Sequence, residues 1–273
     1  MRRNTLSGQL FAEFVGTAIL ILLGDGVVAN VVYGTRLGQN GYDWNTITLG
    51  WAFAVVMAVY VAGGITGAHI NPAVTLAAIL HKAIAVSTGL LYMVAQVAGA
   101  FVGALFVYIM YNGNFLKDGY KNVFYTAPAG GYDGLVVQQY FTEIVGTFCL
   151  LLFVYAIVDS VRNVGPGANL WPFMVGMGVL AIGLSLGGPT GYAINPARDF
   201  GPRLMAAIFA GDASAFSGPY FLVPIIGPLV GGVAGAFFYT RLVQPLLPAK
   251  EAAPPPRGEE VTPIEAEEPQ RVG

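Results

Sequence analysis

Charge and sulfur are scarce in this 273-residue chain. Lys, Arg, Asp and Glu make up 10% of it, and nine of those 28 residues lie between Leu247 and Gly273. What remains is too poor in charge to dress a soluble surface. With 55% hydrophobic residues and a mean hydropathy of +0.64, the chain reads as an integral membrane protein. The lone cysteine, Cys149, excludes an internal disulfide and a Cys-rich metal site, and its apolar setting reads as packing. Only two histidines exist, His69 and His81. No metal site, cofactor site or Ser/His catalytic cluster is therefore expected, and the chain does not read as an enzyme. A formal charge of −2 without a basic stripe excludes a nucleic-acid partner.

Long apolar runs are what the chain has in abundance. The first, from about Leu10 to Val32, is longer than a signal-peptide core and lacks a convincing cleavage site, so it reads as a first span with Arg2 and Arg3 inside. Six segments are long enough to cross a hydrocarbon layer of roughly 30 Å. They lie near 8–33, 45–64, 85–111, 137–159, 170–187 and 219–243. Two more, near 71–82 and 195–208, are too short to span and follow Gly-rich turns (Gly63-Gly64 with Gly67; Gly187-Gly188-Pro189 with Gly191). They read as re-entrant half-helices, tolerable only where they line protein or water.

Two phrases recur. Gly67-Ala68-His69-Ile70-Asn71-Pro72-Ala73-Val74-Thr75 returns as Gly191-Tyr192-Ala193-Ile194-Asn195-Pro196-Ala197-Arg198-Asp199. Asn followed by Pro is a strong helix start, because Asn caps free N–H groups and Pro at the first position loses no needed hydrogen bond. Two such starts at membrane depth aim two positive dipole ends at one point. The second repeat pairs Ala12-Glu13-Phe14-Val15-Gly16-Thr17 with Thr142-Glu143-Ile144-Val145-Gly146-Thr147. Each half thus reads as span, span, half-helix, span. Three spans per half place the second half upside down, as in midplane translocation sites.

The expected fold class is an all-α membrane protein of six transmembrane helices and two re-entrant half-helices in an inverted repeat. The channel domain covers 1–246, with halves at about 5–112 and 136–246; 247–273, carrying Pro254-Pro255-Pro256 and a Glu cluster, reads as a disordered cytoplasmic tail. Positive charge supports the orientation modestly: Arg2, Arg3, Lys82, Arg162 and Arg241 fall inside, whereas Arg36, Lys117 and Lys121 fall outside. The connection from about Asn112 to Val136 falls outside the membrane on the far face.

On both Asn-Pro-Ala phrases, the Ala-Glu-Phe-x-Gly-Thr opening and the span spacing, residues 5–245 resemble the major intrinsic protein (aquaporin) family, and within it the aquaglyceroporins, or bacterial glycerol facilitators. The paired motifs Asn71-Pro72-Ala73 and Asn195-Pro196-Ala197 would then line a pore, both amides donating to a passing oxygen and the half-helix dipoles repelling cations. An intramembrane arginine is a functional residue by default, and the resemblance makes Arg198 part of a selectivity filter with Trp51, Gly183 and Tyr192. Water-selective relatives carry His where Gly183 stands; its absence implies a wider opening with exposed backbone carbonyls. Relatives often have Phe at Tyr192, so this filter is expected to be more polar or slightly narrower. Trp51 and Tyr192 would form an apolar corner for a C–H backbone while Arg198 donates to hydroxyls.

Glu13 and Glu143, read as the remaining membrane-depth carboxylates, are expected to brace the half-helix loops, as are His69 and Asp199. Asp199 after the filter arginine and Pro224-Ile225 fit the glycerol-type pattern. The resemblance implies a passive channel for glycerol, with water, urea and dihydroxyacetone as further solutes. It also implies a homotetramer in the cell (plasma or inner) membrane lipid bilayer, both termini cytoplasmic. The alternatives are a water-selective pore and, from another class, a proton-coupled secondary transporter using Glu13 or Glu143.

Overall fold

The computed structural model describes residues 5–33, 43–118, 123–159 and 163–248, except the side chains of 113–118. Expectations for Arg2, Arg3, Arg36, Lys121, Arg162, the Lys117 side chain and the tail from residue 249 lie outside the described residues. Among the described residues there is no strand. The elements are α1 (Leu6–Tyr33), α2 (Trp44–Thr66), α3 (Pro72–Leu80), α4 (Val86–Asp118), α5 (Val136–Val158), α6 (Trp171–Leu186), α7 (Pro196–Phe209) and α8 (Val223–Phe238).

Five helical segments are long and apolar enough to cross a membrane: α1, α2, α5, residues Val86–Asn112 of α4, and Tyr220–Leu246 around α8. The multi-pass architecture follows from them. The expected sixth, near 170–187, is a helix of 16 residues, about 24 Å at 1.5 Å per residue. Pro172 sits in its first turn, and Gly187 and the following turn end it. Helix α4 is the one that departs from its expected bounds. It runs to Asp118 rather than ending near 111, since no proline interrupts it and Gly113 alone does not stop a helix. The connection expected from Asn112 therefore begins later.

The two halves repeat their packing as well as their sequence. Helix α4 crosses α1 so closely that a Cβ on Gly99 would lie 2.2 Å from the Phe14 carbonyl oxygen, and one on Gly103 would lie 2.5 Å from that of Ala18. Helix α8 crosses α5 in the same manner: Gly231 meets the Ile144 carbonyl at 2.1 Å and Gly235 that of Phe148 at 2.2 Å. Small residues let backbones approach where lipid offers no hydrophobic drive. Gly64 and Gly188, by contrast, face open space. Outward faces carry Phe11, Phe141, Met110 and Val137, all exposed, as a surface in contact with lipid requires. Cys149 is half-buried against the core.

Candidate functional site

Both half-helices begin as the Asn-Pro phrases dictate. Asn71 is extended (φ −157°), its side-chain oxygen accepts from the Ala73 N–H at 2.9 Å, and Pro72 opens α3. Asn195 is extended likewise (φ −156°) and accepts from Ala197 and Arg198 at 3.0 and 3.3 Å at the head of α7. Their amide nitrogens cross over. Asn71 Nδ2 donates to the Ile194 carbonyl and Asn195 Nδ2 to the Ile70 carbonyl, each at 2.9 Å. The two N-termini therefore meet, and their dipoles add at one place. One hydrogen of each amide is spent joining the halves, which the sequence reading did not foresee. The other remains for a ligand, since an amide nitrogen carries two. Both asparagines line a central cavity of ≈ 100 Å³.

The loops entering the half-helices hold an unusual backbone. Ala68 and Ile70 have φ of 51° and 42°, and their counterparts Tyr192 and Ile194 have 41° and 43°. Such values are strained for side chains branched at Cβ. Two carboxylates hold them. Glu13 accepts from the N–H groups of His69 (3.0 Å) and Ile70 (2.7 Å), from the Thr66 hydroxyl (2.5 Å) and from Gln96 (2.8 Å). Glu143 accepts from Ala193 (3.0 Å), Ile194 (2.8 Å) and the Thr190 hydroxyl (2.6 Å). The glycine three positions on completes each unit: a Cβ on Gly16 would meet Ile70 Cγ2 at 2.9 Å, and one on Gly146 would meet Ile194 Cγ2 at 3.1 Å. The repeated Glu-x-x-Gly-Thr is thus a cradle for a strained Ile. The roles of Gly16 and Gly146 escaped the sequence reading, although their spacing from Glu13 and Glu143 was its signal. His69 turns its Nδ1 to Thr75 Oγ1 at 3.2 Å, packs edge-on against Tyr92, and lines the cavity.

Trp51, Tyr192 and Arg198 line the same cavity. The Arg198 guanidinium stacks on Trp51, its Cζ 4.3 Å from the ring centroid, and Nη1 donates to the Phe124 carbonyl at 3.4 Å. Gly183 is not among the lining residues. A Cβ there would lie 2.8 Å from Tyr192 Cζ, and its carbonyl accepts from Trp44 Nε1 at 3.1 Å. The expected gap with exposed carbonyls is instead filled by the tyrosine ring, because a glycine frees volume that a neighbouring aromatic side chain claims. Much of the remaining lining is apolar, including Val55, Val59, Val175 and Val179. A wider space of ≈ 520 Å³ shares Gly67, His69, Val74, Val154, Val158 and Trp171 with the central cavity.

Asp199 turns away from the cavity. It accepts from the Thr126 N–H (2.8 Å) and hydroxyl (2.6 Å), and pairs with Arg203 Nε at 2.8 Å. Arg203 also donates to the carbonyls of Ala215 (2.6 Å) and Thr126 (3.0 Å). Sequence reasoning missed Arg203, though Asp and Arg at i,i+4 on a helix were a legible pair. It missed Asp25 too. Glu13 and Glu143 are not the only other membrane-depth carboxylates, because Asp25 lies in α1 with no exposure. One acidic residue in a Gly-rich stretch of the first span was the available signal. Among the described residues, no group of three or more His, Cys, Asp or Glu could hold a metal ion.

The sequence model of the family described as "Major intrinsic protein" matches residues 1–239. The chain is 48% identical over 240 residues to a "Probable glycerol uptake facilitator protein" of Thermotoga maritima, covering 85% of this chain and 97% of that one. It is 41% identical over 251 residues to "Glycerol uptake facilitator protein 3" of Lactiplantibacillus plantarum, covering 89% and 100%. It is 38% identical over 262 residues to the "Glycerol uptake facilitator protein" of Escherichia coli K12, covering 90% and 91%. Among solved structures, the aquaglyceroporin from Plasmodium falciparum superposes with a TM-score of 0.80 at 32% identity, over 89% of this chain and 98% of that one. A cavity between two cross-bonded, Asn-capped half-helices, matching motifs in both halves and these likenesses converge: the chain belongs to the major intrinsic protein family.

Proposed function

We propose that this protein is a passive channel for glycerol, admitting water and other small neutral solutes such as urea and dihydroxyacetone. In this reading it is not an enzyme; it works as a homotetramer in the cytoplasmic membrane, both termini inside. The observation that carries the reading is the two-sided lining: the Asn71 and Asn195 amides and Arg198 on one hand, Trp51, Tyr192 and valines on the other. A polyol has the same two-faced character. Stripping water from a hydroxyl costs about 2–7 kcal/mol in an apolar medium, and donors placed along a narrow path offset that cost. The names of the relatives, glycerol uptake facilitators in three bacteria, support the same solute.

In this mechanism Arg198 and the free amide hydrogens donate to solute oxygens while the aromatic corner receives the C–H face. The half-helix dipoles, roughly half a positive charge each, oppose cations at the Asn pair. Glu13, Glu143 and Asp199 brace loops and touch no solute, while His69 braces its loop from the cavity wall. Flux follows the solute gradient.

Stopped-flow light scattering on proteoliposomes tests it, comparing osmotic shrinkage with glycerol re-swelling, with and without a pH gradient. Fast glycerol entry indifferent to the proton gradient is the expected result. Water flux without glycerol entry would mean a water-selective pore, and gradient-dependent entry would mean a proton-coupled carrier.

A further inference from the structure

The polar side chains assigned to the solute so far all donate: Arg198 and the amides of Asn71 and Asn195 offer N–H groups to its oxygens. A hydroxyl also carries a hydrogen, and that hydrogen needs an acceptor once water is stripped away. The two half-helix phrases differ on this point. Where the second carries Arg198 the first has Val74, and where the first carries His69 the second has Ala193. His69 lines both the central cavity and the wider space, so it stands where they join. Its ring is half-buried. Nδ1 lies 3.2 Å from Thr75 Oγ1, while Nε2 has no partner among the described residues and is not closed off by the protein.

The neighbours of the ring place its hydrogen. Gln96 Nε2 donates to Glu13 Oε2 at 2.8 Å and to Thr75 Oγ1 at 2.9 Å. Turning that amide over would set its oxygen against the carboxylate, so Glu13 fixes its orientation. Thr75 Oγ1 also lies 3.1 Å from the Asn71 carbonyl, which can only accept and therefore takes the hydroxyl hydrogen. Thr75 thus accepts from Gln96, donates to Asn71, and has one lone pair left for a hydrogen from His69. The opposite assignment, with Thr75 donating to Nδ1, makes one bond fewer, because the Asn71 carbonyl then loses the hydroxyl. A neutral imidazole protonated at Nδ1 leaves Nε2 as a bare acceptor.

We propose that His69 Nε2 accepts a hydrogen bond from the permeating solute, held in that tautomer by Glu13, Gln96 and Thr75. The inference rests on the glycerol-channel reading and deepens it. Arg198 and the asparagines take solute oxygens; His69 takes a solute hydrogen where the central cavity meets the wider space. The arrangement suits solutes that donate as well as accept, as the hydroxyls of a polyol do. A solute with acceptors alone finds no partner at His69. Thr75 and Gln96 have no exposure and are positioning residues, acting on the solute only through the ring.

The test uses the full chain in proteoliposomes, reading glycerol re-swelling and the solid-state NMR of 15N-labelled histidine. The chain has only two histidines, so His81→Gln identifies the His69 signals. At neutral pH the parent should show Nδ1 protonated and Nε2 bare, and added glycerol should move the Nε2 signal toward that of a hydrogen-bonded acceptor. Thr75→Val should bring in the tautomer protonated at Nε2, a change that loss of a merely structural contact would not produce. His69→Leu should slow glycerol entry about threefold to tenfold, the worth of one hydrogen bond. His69→Gln, which keeps an amide oxygen, should recover most of it. A parent protonated at Nε2, an Nε2 signal indifferent to glycerol, or a folded His69→Leu protein with parental flux overturns the proposal. Should His69→Leu not fold, the parental spectra still decide. Absent glycerol entry in the parent would instead sink the channel reading, leaving the nitrogen signals to support or overturn the Nε2 acceptor.

Discussion

Gly183 and Tyr192 compete for one volume: a Cβ on the glycine would stand 2.8 Å from Cζ of the tyrosine ring and 2.9 Å from Thr48 Cγ2. Trp44 closes the arrangement, edge-on to Tyr192 with centroids 5.7 Å apart and bonded through Nε1 to the Gly183 carbonyl. The width of the filter is therefore a property of the pair rather than of either residue.

Gly183→His alone should overpack the site, lowering stability by about 1–3 kcal/mol and depressing water and glycerol flux together. Gly183→His with Tyr192→Thr should recover water flux and leave glycerol entry low. Stopped-flow light scattering on matched proteoliposomes separates the two fluxes, and equal recovery of both would place the filter elsewhere.

Glu13 and Glu143 take equivalent loads in the two halves, each accepting two backbone N–H groups from a loop with positive φ. Glutamine would turn one acceptor into a donor facing those groups. Two charge-assisted bonds at about 1.5–3 kcal/mol each are then at stake. Glu13→Gln and Glu143→Gln should each cut the yield of folded protein steeply, and what folds should show glycerol entry indifferent to a pH gradient. Size-exclusion melting in detergent reads the first outcome and flux assays the second. A well-folded variant that had lost a proton-driven flux would favour a carrier.

The legibility of this fold followed its chemistry. Asn71-Pro72 and Asn195-Pro196 were readable because a cap and a first-turn proline are local events, decided within four residues. The spans were readable from apolar length, and even the short α6 (Trp171–Leu186) falls within one residue of each expected bound. What could not be read was who fills a space. Gly183 looked like an opening until Tyr192 was seen to occupy it. The one-hydrogen crossing from Asn71 to Ile194 joins residues 123 apart in sequence, beyond the reach of any local rule. Arg203 was overlooked for a different reason: it matters through partners on other elements, Ala215 and Thr126.

The Asp199–Arg203 pair anchors the segment that supplies the Phe124 carbonyl to Arg198. Both side chains are buried, with Asp199 bound to Thr126 two residues along. Arg203 also stacks over Tyr125, its Cζ 4.1 Å from the centroid, and Tyr125 donates to Asp212. Burial and that bond push the Tyr125 phenol up to about 12, so it remains a donor throughout the physiological range. Asp199→Asn would leave the Arg203 charge buried and uncompensated, a loss of about 3–5 kcal/mol where one partner of a buried pair is removed. Arg203→Lys should not rescue the site. A lysine keeps the charge but cannot reach Asp199, Ala215 and Thr126 through one planar fork. Both variants should therefore melt well below the parent in detergent, while Tyr125→Phe, which removes one surface-side bond, should melt only slightly lower. If Arg203→Lys melted like the parent, charge alone would be sufficient and the fork geometry would not be what fixes the segment beside Arg198.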